Sequence, residues 1–555
     1  MGFRSLPLRW SRRLPVGSAL RQRWMAQPLM VQPLLLRQRS LRSARLGSAL
    51  VGSALALVGA ALSLPPARAL ETVELQLPLL NTTFTVKLSE LADPQQLMRG
   101  NSDLAELDQA TDGKLGRQLQ QLFDSPLPVQ TALLVEKSAG TPLLEQALLA
   151  ASSLGHIQGL PNGTLNGEEL AAALQKAASG GRLTILSLLQ ALPGKSATVD
   201  LQNALTDLQR VVQQQKRAGG IATAQPAATV DPALAAPGPL TPQRQELEFP
   251  VAHRPKPLQV VLIRPQSGGN GKLVLISHGL WDGPSSFEGW GNHLASHGYT
   301  VLLPRHPGSD KEQQRLMLSG DTPPPSPSEL RLRPLDLTAT LNQVAAGGVA
   351  GVDPTSAAKV VVMGHSWGAT TALQLGGARP SATRLRERCQ NVNDPDRNIS
   401  WVLQCSFIST ADQADLSDAR VRAIVAVSPP LNLLFDHGAA APMQARGLLI
   451  TGSQDWVVTP DPEAIARFGT ASRHGHQLVV AKGGDHFNLR GPVVTAGGPL
   501  RALLLTWVQT AYGAGDQLSP GLQAKPLLVP VGWGDPAIPL VLAPADTLGH
   551  QPTAP

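Results

Sequence analysis

Charge and cysteine are scarce in this chain. Only 16% of its 555 residues are charged, while 42% are hydrophobic. That balance excludes an intrinsically disordered protein, and the length allows two or more cores. Two cysteines cannot build a disulfide scaffold or a four-cysteine zinc site. Glycine and proline are abundant, at 52 and 48, but they follow no Gly-X-Y period, so collagen is excluded. Acidic residues are missing from residues 1–69, which hold 11 Arg and no Lys. Subtracting those 11 positive charges from the net +7 leaves −4 on the other 486 residues. The case for a nucleic-acid partner therefore loses its electrostatic basis, and none is expected.

Residues 1–69 read as a leader. An Arg-rich stretch precedes an apolar run from Leu46 to Leu64, followed by Pro65-Pro66-Ala67-Arg68-Ala69. Basic, apolar and Ala-x-Ala elements in that order form a secretory signal pattern, with cleavage expected near Ala69. The run is also just long enough to span a bilayer, so an uncleaved membrane anchor is the alternative. The basic part is long enough that Met25 or Met30 could be the start. Export to the periplasm or medium is the expected localisation.

Residues 70–216 read as a mainly helical domain. Leu and Ala recur at three- and four-residue spacing over Leu104–Phe123, Thr141–Leu154, Glu168–Ala178 and Leu201–Gln215. The stretch from Asn162 to Glu168 faintly resembles a calcium loop but lacks its Asp ligands, and it reads as a turn before a helix. Residues 217–245 are rich in Ala, Pro and Gly and read as a linker. Beyond them, short apolar runs alternate with helical stretches. The runs are Leu258–Ile263, Leu273–Ser277, Thr300–Leu303, Val360–Met363, Ala423–Val427, Leu448–Thr451 and Gln477–Val480. This pattern predicts an α/β domain with a mostly parallel sheet over residues 246–513. Residues 514–555, rich in Pro and Gly, read as an irregular tail.

The chemistry concentrates in this second domain. Gly364-His365-Ser366-Trp367-Gly368 is a G-x-S-x-G between an apolar strand and a helix. That context gives the motif meaning, because the turn lifts a serine hydroxyl above the sheet at a helix N-terminus. Serine needs a base, and the base needs an orienting carboxylate. In this fold the order along the chain is Ser, acid, His. Asp455 follows the strand Leu448–Thr451, and His486 follows Gln477–Val480, so both fall at the sheet edge that carries Ser366. Asp485 is adjacent to His486 and awkwardly placed to orient it. Asp461 reads as a cap of a helix Pro462–Phe468. Two backbone donors are needed for an oxyanion hole. Trp367, after the nucleophile, and Leu280, after His278-Gly279, are the candidates. His278 precedes Ser366 and reads as a residue that braces the loop. His365 reads as packed beside the turn. His293 and His297 share a helix face, but no third metal ligand accompanies them.

Ile276-Ser277-His278-Gly279-Leu280, the stretch Leu294–Val301 and Gly364–Ala369 resemble the platelet-activating-factor acetylhydrolase and dienelactone-hydrolase-like branch of the α/β-hydrolases. The resemblance covers about residues 246–512. Residues 70–216 resemble a helical domain of unknown function that precedes such hydrolases in bacterial proteins. The resemblance implies Ser366 as nucleophile, His486 as base, and Leu280 and Trp367 as oxyanion donors. It also implies a short-chain acyl or phospholipid-like ester as substrate, with lipid catabolism as the setting. One departure matters. The acetylhydrolases carry their acid one strand earlier, where this chain has Ser428-Pro429-Pro430, with Asp436 several residues further on. Asp455 instead matches the dienelactone-hydrolase-like and polyester-hydrolase-like position.

The expectation is an exported serine carboxylester hydrolase with no metal or organic cofactor. Its partner would be a small ester or lipid, with peripheral membrane contact as an option. A serine peptidase or dienelactone hydrolase is the enzymatic alternative. A non-catalytic binding or assembly module working through the helical domain is the alternative of another class. Residues 379–419 form an insertion, read either as a lid or as a surface loop. It holds both cysteines, and export predicts a Cys389–Cys405 bond.

Overall fold

A computed structural model describes residues 69–77, 82–128, 130–466, 471–522 and 524–545. The leader up to residue 68, with its expected signal or anchor, lies outside the described residues. Val73, Leu75 and Leu77 alternate with Glu74 and Gln76, and this period of two forms strand β1 (Thr72–Leu77). It pairs antiparallel with β2 (Thr82–Lys87) and parallel with β4 (Ser196–Asp200), and β3 (Gly155–Ile157) closes the other edge. The N-terminal part is mainly helical as expected, but it is built around this four-stranded sheet, which the helical reading missed. Among the described residues, eight α-helices lie between residues 94 and 224. The expected helix Leu104–Phe123 is two, Asp103–Ala110 and Lys114–Phe123. Asp112 and Gly113 break it with φ of +53° and +72°, left-handed values that an Asp-Gly pair tolerates. Asn166 and Glu169 form a reciprocal capping box at the helix Gly167–Ser179, which accounts for the supposed calcium loop.

The second sheet has nine strands. They are β5 (Pro242–Phe249), β6 (Leu258–Pro265), β7 (Leu273–Ser277), β8 (Thr300–Pro304), β9 (Val360–His365), β10 (Val421–Val427), β11 (Arg446–Gly452), β12 (Gln477–Ala481) and β13 (Leu540–Leu542). Their order is β13-β12-β11-β10-β9-β7-β8-β6-β5. The six from β12 to β8 run parallel, and β6, β5 and β13 attach antiparallel. All seven expected runs are strands. Leu273, Leu275, Val360 and Val362 face one core, and Val274, Ile276, Val361 and Met363 face the other. A sheet covered on both faces needs such unbroken apolar runs. The chain reverses direction across the sheet between β8 and β9, on either side of β7. Such a switch point opens a crevice at the carboxyl ends of the strands.

Two segments read as loose chain, 217–245 and 514–555, carry packed structure in their described residues. Residues 217–224 complete the helix Leu201–Ala224, and β5 begins at Pro242. Between them the backbone is docked, with Ala228 N–H donating to Leu540 O at 2.8 Å and Leu240 N–H to Ser296 O at 3.1 Å. His293 and His297 bond the carbonyls of Leu234 and Ala236, so they hold this segment rather than a metal. In the tail, Trp533 and Leu540 are fully buried, and Arg446 donates to the carbonyls of Gln517 and Lys525. The composition of both segments suggested flexibility, but backbone pairing and a few apolar anchors decided otherwise.

The insertion 379–419 carries helices Thr383–Arg388 and Ser400–Ser406 and is closed by the Cys389–Cys405 disulfide. A loop of this size contributes about 3 kcal/mol in the chain-entropy model. Buried Glu463 accepts bonds from Asn398, Ser400 and Gln404 of the insertion and from the N–H groups of Leu431 and Asn432. Among the described residues no helix is long and apolar enough to cross a membrane.

Candidate active site

Ser366 sits between β9 and the helix Trp367–Leu375 with φ of +55° and ψ of −125°, a strained conformation for a non-glycine residue. The flanking glycines permit it. A Cβ on Gly364 would lie 2.6 Å from Ala369 N and closer still to Gly368 O. Ser366 N–H donates to Val427 O at 2.8 Å, which ties the turn to the neighbouring strand.

Asp455 and His486 meet because the pairing of β11 with β12 continues past the strand ends. Ser453 N–H donates to Ala481 O at 2.9 Å, and Gln454 N–H to Gly484 O at 2.8 Å. Asp455 is fully buried, and its Oδ2 lies 3.0 Å from His486 Nδ1. Its Oδ1 accepts from the N–H groups of Val457 and Val458 at 3.0 and 2.8 Å. With both Asp455 oxygens acting as acceptors, His486 carries its proton on Nδ1 and leaves Nε2 free to act as a base. His365, the residue before Ser366, donates from Nε2 to His486 O at 2.8 Å, and the two rings lie 4.8 Å apart. The strand-end serine and the histidine loop are thereby joined.

The other carboxylates are placed elsewhere. Asp485 accepts from Phe487 and Asn488 N–H and closes its own turn. Asp436 is exposed. Asp461 starts a short π-helix, Asp461–Ile465, and pairs with Arg217 at 2.9 Å. Residues 467–470 lie outside the described residues. Ser428, at the alternative acid position, is buried with φ of +48°.

On the far side of Ser366, a Cβ on Gly279 would lie 3.2 Å from Ser366 Cβ, so the β7 loop lies against the serine. His278 braces this loop. Its Nδ1 donates to Gly279 O at 2.8 Å, and its Nε2 accepts from His306 N–H at 3.1 Å. The Gly279 carbonyl belongs to the same peptide as the Leu280 N–H, so the imidazole fixes the direction of that donor. Arg333 donates to the His278 carbonyl and lies over the Trp367 ring at 4.6 Å, its guanidinium lowered to about 9 by burial. Behind these, His306 bonds Ser277 and Asp336, and Asp336 bonds Arg254. Asp336 is held below the usual carboxylate range: burial opposes its charge, but bonds from His253, His306 and Arg254 outweigh that.

Sequence reasoning singled out Ser366, Asp455, His486, Leu280 and Trp367. It missed Arg333, His306 and Asp336, which carry no motif. It also missed Gln214, Gln215 and Arg217, which reach this site from the N-terminal part.

Burial makes several histidines neutral. His293 is lowered to about 4, and His306 and His476 to about 3, with desolvation the largest cause in each. Their unfolded value is about 6.5. The folded state therefore binds fewer protons, and stability is complete above pH 6.5 and falls as pH drops towards 3–4. Urea midpoints should decline steadily from pH 7 to pH 4.5, and His293→Gln should make that decline shallower. A flat profile would show these rings to be protonated in the folded protein.

A strand-helix turn presenting Ser366, an Asp–His pair on the next loops and this sheet order define an α/β-hydrolase fold. Comparison with family models agrees. Residues 272–385 match the alpha/beta hydrolase fold, and residues 69–200 match the family described as alpha/beta hydrolase of unknown function (DUF1400). The chain thus carries α/β-hydrolase domains, which supports a hydrolase. No curated protein matches the chain.

Proposed function

We propose that the chain is an exported serine carboxylester hydrolase. Ser366 attacks the ester carbonyl while His486 takes its proton and later gives it to the leaving alcohol. Asp455 holds the imidazole, and Leu280 and Trp367 N–H receive the developing oxyanion. Water then releases the acyl group from Ser366. The observation that carries this reading is the buried Asp455–His486 pair, joined through His365 to a serine held at φ +55°. The resemblance of the serine and oxyanion segments to the acetylhydrolase and dienelactone-hydrolase-like branch favours a short-chain acyl or phospholipid-like ester. The Cys389–Cys405 bond accords with export after cleavage near Ala69.

A fluorophosphonate probe should label the wild-type protein and spare Ser366→Ala. Turnover of p-nitrophenyl esters of increasing chain length then defines the acyl group. Equal labelling of both proteins, with no ester turnover, would favour the non-catalytic alternative. Turnover of peptide amides without esters would favour the peptidase.

A further inference from the structure

Neither matched stretch includes residues 201–224, yet this helix touches the acid loop at three positions. Gln214 is buried, and its side-chain amide makes three hydrogen bonds. Its Nε2 donates to Pro395 O at 2.8 Å and to Arg397 O at 3.2 Å, both in the insertion. Its Oε1 accepts from Thr459 Oγ1 at 2.8 Å, in the loop that follows Asp455. Gln215 Nε2 donates to the carbonyl of Asp455 itself at 3.1 Å. Arg217 pairs with Asp461 at the loop's end. The insertion adds bonds of its own, from Ser400 N–H to Val457 O at 3.1 Å and from Asn398, Ser400 and Gln404 to Glu463 just past Asp461. Ala218 and Ala222 of the same helix lie in the core that also holds Trp401 and Leu449.

We infer that the helix Leu201–Ala224 is a positioning element of the catalytic site, with Gln214 and Gln215 fixing the loop that carries Asp455. This rests on the serine-hydrolase reading above. The Asp455 carboxylate is held by N–H groups of its own loop, so it moves wherever that loop moves. Ser400 N–H ties the loop to the insertion through Val457 O, and Gln214 adds a second tie by bonding both at once. A buried amide with three partners is costly to remove, because it leaves two carbonyls and a hydroxyl without that partner in a buried site. A shift of about 1 Å at the Asp455–His486 contact is enough to cost on the order of a hundredfold in rate. The N-terminal part is then a portion of the active site's framework rather than an appended module.

The test is a double-mutant cycle on an activated ester. Gln214→Ala should lower kcat by roughly ten- to a hundredfold with KM within about threefold. Thr459→Val keeps the shape and deletes one bond, and Gln215→Ala deletes the other. Each should lower kcat by a smaller factor and fold normally by circular dichroism, so the inference stays testable if Gln214→Ala does not fold. In the Asp455→Asn background, all three changes should cost less than about twofold, because they act through a carboxylate that is no longer there. Equal losses in both backgrounds would reduce the helix to a general structural support. Full activity of the single variants beside a dead Asp455→Asn would remove the inference and leave the triad standing. Full activity of Asp455→Asn would remove both.

Discussion

Asp455→Asn is expected to lose roughly three to four orders of magnitude in ester turnover while remaining folded. The geometry makes the reason specific. Asp455 Oδ1 accepts from Val457 and Val458 N–H, and an asparagine keeps its amide oxygen there. Its amide nitrogen must then face His486 Nδ1, 3.0 Å away in the wild type. Two donors cannot meet, so Nδ1 becomes the acceptor and the proton moves to Nε2. An imidazole in that tautomer cannot take the serine proton. Asp436→Asn alters an exposed carboxylate, and Asp461→Asn alters one partner of an ion pair with Arg217. Each is expected to stay within about tenfold of wild type, a barrier change of at most about 1.4 kcal/mol. Steady-state kinetics on one p-nitrophenyl ester decides the matter. If Asp436→Asn is the dead variant and Asp455→Asn is active, the acid lies one strand earlier, in the acetylhydrolase arrangement.

The three residues of this argument were legible in the sequence because each follows an apolar run that could only be a buried strand. Val360–Met363, Leu448–Thr451 and Gln477–Val480 locate one edge of a sheet, and the edge locates the side chains. What was not legible has physical causes of different kinds. Strand β13 is three residues in a Pro-rich stretch, too short to show a period. Strand β1 did alternate, but the strong helical pattern around it obscured a two-residue period. The pairing of Gln214 with Thr459 joins positions far apart in the chain, and glutamine at a helix position carries no signal of its own. His278 was readable as a brace from chain order alone. The peptide it orients became visible only from the distances.

Gly368→Ala is expected to be severely damaging, because it crowds the turn that bears the serine against β7. A Cβ there would lie 2.6 Å from Ser277 C and 2.7 Å from His278 O, and closer still to Ser277 O. All three atoms are backbone at the end of β7, so no side chain can swing away. Relief requires β7 and β9 to part where Leu280 and Ser366 must converge. Overpacking a core costs about 1–3 kcal/mol when side chains can adjust, and a rigid backbone obstacle belongs at or above the top of that range. We therefore expect a loss of about 3 kcal/mol or more in urea unfolding, and turnover below roughly one thousandth of wild type in the folded fraction. Gly376→Ala is the control. Its Cβ would meet Ile424 Cγ2 at 3.1 Å, a side-chain atom, at the C-terminal end of the same helix. That contact is relieved by a shift of a few tenths of an ångström, and we expect a cost of about 1 kcal/mol with turnover nearly unchanged. If Gly368→Ala matches Gly376→Ala in both stability and rate, the close approach of β7 to the serine turn is wrong. The proposed role of Leu280 N–H as an oxyanion donor falls with it.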